Sequence, residues 1–101
     1  MIHVIASIKI KSSQIDQFVN IFKSNIPKVL KEDGYIEYSA AIDYKTDVPI
    51  QKLDSHMVTV IEKWDSFAAL LAHFEAPHMV KYKSDVDGMV EDISIKILEN
   101  I

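Results

Sequence analysis

Met57 to Met79 reads MVTVIEKWDSFAALLAHFEAPHM. Its first eight residues are strand-like: Met57, Thr59 and Ile61 alternate with Val58 and Val60, a period of two rich in β-branched side chains. Asp65 or Ser66 then offers a helix cap, followed by Phe67, Leu70, Leu71 and Phe74 as an apolar stripe at helical spacing. Pro77 ends that helix and suits the first position of another, on which Met79, Tyr82 and Val86 share a face. The stretch also holds the only tryptophan, Trp64, and two of the four histidines, His73 and His78. A reaction centre is expected here, set against residues of the first two strands.

Working towards the N-terminus, Tyr35 to Asp43 alternates Ile36, Tyr38, Ala40 and Ile42 with Tyr35, Glu37, Ser39 and Ala41, so it reads as a strand. Before it, Ile15, Phe18, Val19, Phe22, Ile26, Val29 and Leu30 form a helical stripe. Ser12 and Ser13 are available as N-cap, with Asp16 completing a weak capping box. Pro27 should kink or interrupt the last turns, and Gly34 suits a left-handed cap. Ile2 to Ile10 is a clean alternating strand, with Val4, Ala6, Ile8 and Ile10 opposite His3, Ile5, Ser7 and Lys9. Towards the C-terminus, Gly88 should end the last helix, and Ile93, Ile95 and Ile97 mark a fourth strand. Residues 44–56 are polar and carry Pro49, which predicts a long loop or an irregular edge hairpin. The order is β-α-β-β-α-β, an α+β chain of the ferredoxin-like type, with helices on one face of four antiparallel strands.

Composition narrows the function classes. The 101 residues suit one domain spanning 1–101, and 49% hydrophobic content supplies a core. The absence of cysteine excludes a disulfide scaffold, a thiolate metal site and a cysteine nucleophile. A net charge of -4 without clustered Lys and Arg argues against nucleic acid and anionic membrane as partners. No apolar run approaches a membrane span, and no signal peptide is evident, so a cytoplasmic location is expected.

Helices cover only one face of a four-stranded sheet, yet the third strand is apolar on both faces and the first places Ile5 opposite its Ile/Val row. A second copy related by a two-fold axis is the simplest cover. The expectation is a homodimer with facing sheets and a cavity on each side of the seam.

Candidate chemistry gathers around Trp64, which serves either as a core anchor or as a flat wall for an aromatic ligand. His73 sits on the flank of its helix stripe, where spacing alone favours a solvated side chain. His78 follows Pro77 in a first turn, where the helix dipole disfavours imidazolium and keeps a base neutral. Five residues apart across a proline, the two make a poor metal pair, and no metal is expected. Tyr38, Tyr35 and Ser7 are hydroxyl donors for the same cavity. Glu62, on the face of Trp64 among apolar neighbours, is a candidate for an elevated pKa or an inter-subunit salt bridge.

At Glu62-Lys-Trp64, Leu71-Ala-His73, Ala76-Pro-His78-Met79 and Gly34-Tyr35 to Tyr38, the chain resembles the antibiotic biosynthesis monooxygenase domain family, most of all its quinol monooxygenase branch. The resemblance implies a dimeric α+β barrel. It further implies oxidation of an electron-rich aromatic by molecular oxygen with no flavin, haem or metal cofactor. Trp64 would then be the ring wall, and His73 or His78 the base. Tyr38 and Ser7 would donate hydrogen bonds to the phenolate, and Glu62 would line the substrate site. Haem-degrading members use a first-strand asparagine and a helical histidine, for which this chain has Ser7 and Tyr82. Other implied readings are a sugar-phosphate isomerase, for which Lys81 and Lys83 are the nearby cations, and a dimeric ligand-binding barrel without activity.

Overall fold

The computed structural model describes residues 1–101. Strand β1 (Ile2–Ile10) leads through a short 3-10 turn (Ser12–Gln14) into helix α1 (Ile15–Val29), followed by β2 (Tyr35–Ile42) and β3 (Met57–Trp64). Helices α2 (Phe67–Glu75) and α3 (Pro77–Val86) then precede β4 (Val90–Leu98). The sheet order is β2-β3-β1-β4, with antiparallel pairing throughout. This is the expected ferredoxin-like arrangement. No helix is long and apolar enough to cross a membrane.

The alternation in β1 and β3 decides the layering. Val4, Ala6, Ile8 and Ile10 are buried with Val58, Val60, Glu62 and Trp64 under the helices. Register pairs Ala6 with Val60 and Ser7 with Thr59, so Ser7 lies on the other face with Ile5 and Ile61. Helix α1 closes the core with Phe18, Phe22 and Val29, each aromatic burial stabilising by roughly 1.5–3 kcal/mol. Cross-strand pairing puts Ile93, Ile95 and Ile97 of β4 on the helix side as well, opposite Ile8, Ala6 and Val4. These three isoleucines remain 44–58% exposed.

Two local expectations are corrected. Neither Ser12 nor Ser13 caps α1, because the 3-10 turn intervenes and Gln14 occupies the cap position without a side-chain bond. Pro27 does not end α1, which continues to Val29; the ring sits on the exposed side, where water can satisfy the carbonyl it leaves unpaired. Of the two alternatives for 44–56, the long loop is the one found, with no strand in it. Of the two expected caps for α2 it is Ser66 that serves, accepting from the Ala69 amide at 3.1 Å.

Gly34 has φ +81°, and a Cβ there would lie 2.5 Å from the Ala69 Cβ. The 30–34 turn is thus pressed onto α2, and the Asp65 amide donates to the Gly34 carbonyl at 2.8 Å. Only glycine meets both the positive φ and the close approach. The turn is thereby fixed next to the site described below.

Candidate functional site

A cavity of about 260 Å³ lies between the sheet and helices α1, α2 and α3. Residues of all four strands and of the three helices line it, including Ile93 and Ile95 of β4. The aromatic walls are Phe18, Tyr38, Phe74 and Tyr82, with Met79 and Val60 filling between them. Two chemically active groups interrupt this surface on the inner side, Glu62 and His73.

His73 is 1% exposed, which overturns the reading of a solvated flank. Helix α2 is apolar almost all round, so its stripe could not be phased from composition. In the fold it turns Leu70 and His73 inward and leaves Phe67 and Leu71 about half exposed. The imidazole is held on both sides. Its Nδ1 lies 3.1 and 2.9 Å from the two carboxyl oxygens of Glu32, and its Nε2 lies 3.7 Å from Glu62 Oε1.

Glu62 accepts from Trp64 Nε1 at 2.9 Å. Two residues apart on one strand face, these side chains meet because β3 projects every second residue the same way. Burial pushes the Glu62 carboxyl above its ordinary value of 4.5, while the Trp64 hydrogen bond and His73 oppose that rise and Glu32 adds to it. The contribution of the neutral form to folding is fully present below about 4.5 and is lost as pH climbs through the elevated value. Glu62→Gln removes that pH dependence while keeping an acceptor for Trp64. The variant is therefore expected to exceed the wild type in stability at pH 7, with the gap closing towards pH 4, near the ordinary carboxyl range. Urea melts at both pH values measure this. A gap that stays constant with pH would refute a strained Glu62.

Tyr38 and Tyr82 stay protonated. Burial, reinforced by Glu62, drives both phenols well above the ordinary 10. Both line the cavity, and no hydrogen bond within the chain engages either hydroxyl. Each hydroxyl is therefore a donor without a partner in the chain.

Other expected site residues fall elsewhere. Trp64 is 0% exposed and does not line the cavity; it sits behind His73, ring centroids 4.5 Å apart, with Tyr35 edge-on at 6.4 Å. Tyr38 and Tyr82 line the cavity where Trp64 does not. Ser7 is on the opposite sheet face, and from β1 it is Ala6 and Ile8 that reach the cavity. Tyr35 packs on Trp64 instead of lining the cavity. His78 also lies outside it, its Nε2 2.8 Å from Glu32 Oε2. Glu32 and Tyr82 were not singled out for chemistry at this site. Lys-Glu32-Asp-Gly34 reads as a polar turn, and Tyr82 as one member of a core stripe.

The sequence profile of the antibiotic biosynthesis monooxygenase family matches residues 1–84. The chain belongs to that family. An Escherichia coli K12 protein described as probable quinol monooxygenase YgiN is 36% identical, the match covering 98% of this chain and 97% of that protein. Among solved structures, a conserved protein from Methanosarcina mazei Go1 superposes with TM-score 0.86 at 23% identity, covering 99% of this chain and 92% of that one. A structure titled antibiotic biosynthesis monooxygenase gives TM-score 0.84 at 22% identity, covering 100% and 99%. At these identities the structural likeness concerns the fold.

Proposed function

We propose that the protein is a monooxygenase that oxidises a small quinol or similar electron-rich phenol with molecular oxygen, using no cofactor. The observation that carries this reading is the His73–Glu62 pair set among the aromatic walls of a mostly apolar cavity, whose other charged lining residues are Lys83 and Asp87. Such a pair can take up a proton from a phenol bound against these walls. The cavity, about 260 Å³, exceeds the roughly 150 Å³ apolar cavity that takes up benzene, which suits one or two fused rings. The printed description of the Escherichia coli relative supports a quinol.

In this reading His73 Nε2 removes a phenolic proton, with Glu62 beside it to share the charge, and Tyr38 and Tyr82 donate to the resulting oxyanion. The phenolate passes one electron to oxygen. The semiquinone and superoxide then combine to form a carbon–oxygen bond. Loss of water from that hydroperoxide leaves a hydroxylated quinone, so quinol plus oxygen gives hydroxyquinone plus water. His78, outside the cavity, serves as a support and not as the base.

A homodimer is part of the proposal. The uncovered Ile93, Ile95 and Ile97 row and the bare far face around Ile5 and Ile61 are apolar surfaces of the kind a second copy covers. For the sugar-phosphate alternative the cavity offers a single cation, Lys83, which also lies over the Phe74 ring, while Lys81 is paired with Asp85 at 2.7 Å.

The test is oxygen uptake by metal- and flavin-stripped protein with a panel of mono- and bicyclic hydroquinones, against a protein-free autoxidation blank. Uptake at least about 100-fold above the blank is expected, the lower end of what general base catalysis supplies. Ring binding, seen as shifts of the His73 and Met79 NMR signals, without uptake would replace the enzyme by a binding module. Light scattering on the same sample reports the assembly, and a single-chain mass would remove the homodimer.

A further inference from the structure

We propose that Glu32 is the positioning residue that makes His73 a base, by fixing which of its ring nitrogens carries the proton. The inference rests on the acid–base role given to His73 above, but its decisive readout does not require turnover.

Glu32 lies in the turn between α1 and β2, distant in sequence from both histidines it meets. Its two carboxyl oxygens both face His73 Nδ1, at 3.1 and 2.9 Å, and Oε2 also faces His78 Nε2 at 2.8 Å. A carboxylate only accepts hydrogen bonds, so both nitrogens aimed at it must be N–H donors. A neutral His73 that donates from Nδ1 has its lone pair at Nε2, the nitrogen 3.7 Å from Glu62 Oε1 and so outside hydrogen-bond reach of it, on a residue that lines the cavity. Without Glu32, the nearest carboxylate would be Glu62. It would draw the hydrogen to Nε2 and leave the lone pair facing away from the substrate.

The fold holds Glu32 in this role. The Glu32 amide donates to the Val29 carbonyl at 3.0 Å, and its own carbonyl accepts from the Tyr35 amide at 3.3 Å. Gly34 presses the same turn onto Ala69 of α2, the helix that carries His73. His78, from the first turn of α3, is the second clamp on Oε2. The carboxylate is thus tied to α1, α2 and α3 together. When the substrate proton arrives at Nε2, the imidazolium still donates from Nδ1 to Glu32, and its new charge lies against a fixed negative group. The logic is that of the buried aspartate in a serine-protease triad, where loss of the carboxylate costs about 10⁴-fold by inverting the tautomer.

The experiment is ¹⁵N NMR of the His73 ring in the wild type and in Glu32→Gln, combined with steady-state oxygen uptake. The wild type is expected to show a protonated Nδ1 and an unprotonated Nε2. In Glu32→Gln the side-chain amide can turn its NH₂ towards Nδ1, and the proton is expected to move to Nε2. Turnover should then fall by roughly 10²–10⁴-fold while KM holds, since Glu32 does not line the cavity. An Nε2–H ring in the wild type overturns the proposal, whether or not the variant folds. An unchanged Nδ1–H ring in Glu32→Gln also overturns it. If no quinol is turned over, the function reading fails but the tautomer shift still tests Glu32.

Discussion

Replacing His73 with asparagine is expected to lower quinol-dependent oxygen uptake by roughly 10²–10⁴-fold, the range that a positioned general base supplies. Asparagine is chosen because its amide nitrogen falls near the place of Nδ1, so the donor to Glu32 survives while Nε2 is removed. The fold should survive with a loss of about 1–2 kcal/mol, ordinary for a buried substitution that keeps its main hydrogen bond. The loss should appear in kcat, because the ring contacts that set KM come from Phe18, Tyr38, Phe74 and Tyr82. Retention of a rate within about tenfold of wild type, 1.4 kcal/mol in barrier, would move the proton to Glu62 alone. Comparison with Glu62→Gln then separates the two. If His73 is the base and Glu62 its partner, both variants are slow. If Glu62 acts alone, only the glutamine variant is.

The fold could be read in advance because its signals are local. β1 and β3 alternate at period two along their whole length, and Ser66 and Pro77 mark the starts of α2 and α3 in ways that any neighbourhood would respect. The site could be read only in part. Glu62 and Trp64 were placed on one face by strand periodicity, and their hydrogen bond follows from that. His73 was misjudged because Phe-Ala-Ala-Leu-Leu-Ala-His-Phe offers apolar residues on every side of a helix. The choice of face then passes from the helix to what surrounds it, here Glu32, Glu62 and Trp64.

Ser7 shows a finer limit: alternation in β1 separates its row from Val4, Ala6, Ile8 and Ile10, but alternation alone does not say which sheet face carries a cavity. The buried row is Val4, Ala6, Ile8 and Ile10, so Ser7 faces away. Glu32 was out of reach for a different reason. Forty-one residues separate it from His73, and nothing in a polar turn announces that distance closing. Tertiary packing alone brings the turn under α2, through Gly34 and Ala69.

Trp64→Ala is expected to be the most damaging single change to stability, costing about 3–5 kcal/mol. The indole is 0% exposed and fills the space between Tyr35 and His73. Its N–H is also the hydrogen-bond donor that holds Glu62. For a domain of this length each kcal/mol is worth about 4–8 °C in Tm, so a fall of more than about 12 °C should be seen. A loss below about 1 kcal/mol would be that of an ordinary surface site and would deny Trp64 its place as anchor. Trp64→Phe separates the two parts of the role. It keeps most of the volume and removes only the donor, so one of the two influences that hold the Glu62 carboxyl down is lost and its pKa rises further. Because a protonated Glu62 no longer shares the charge of His73, oxygen uptake should need a higher pH than in the wild type, with little change in KM. A stacking wall would behave in the opposite way, altering KM for aromatic substrates and leaving the pH profile in place. The indole's position behind His73, outside the cavity, favours the first outcome.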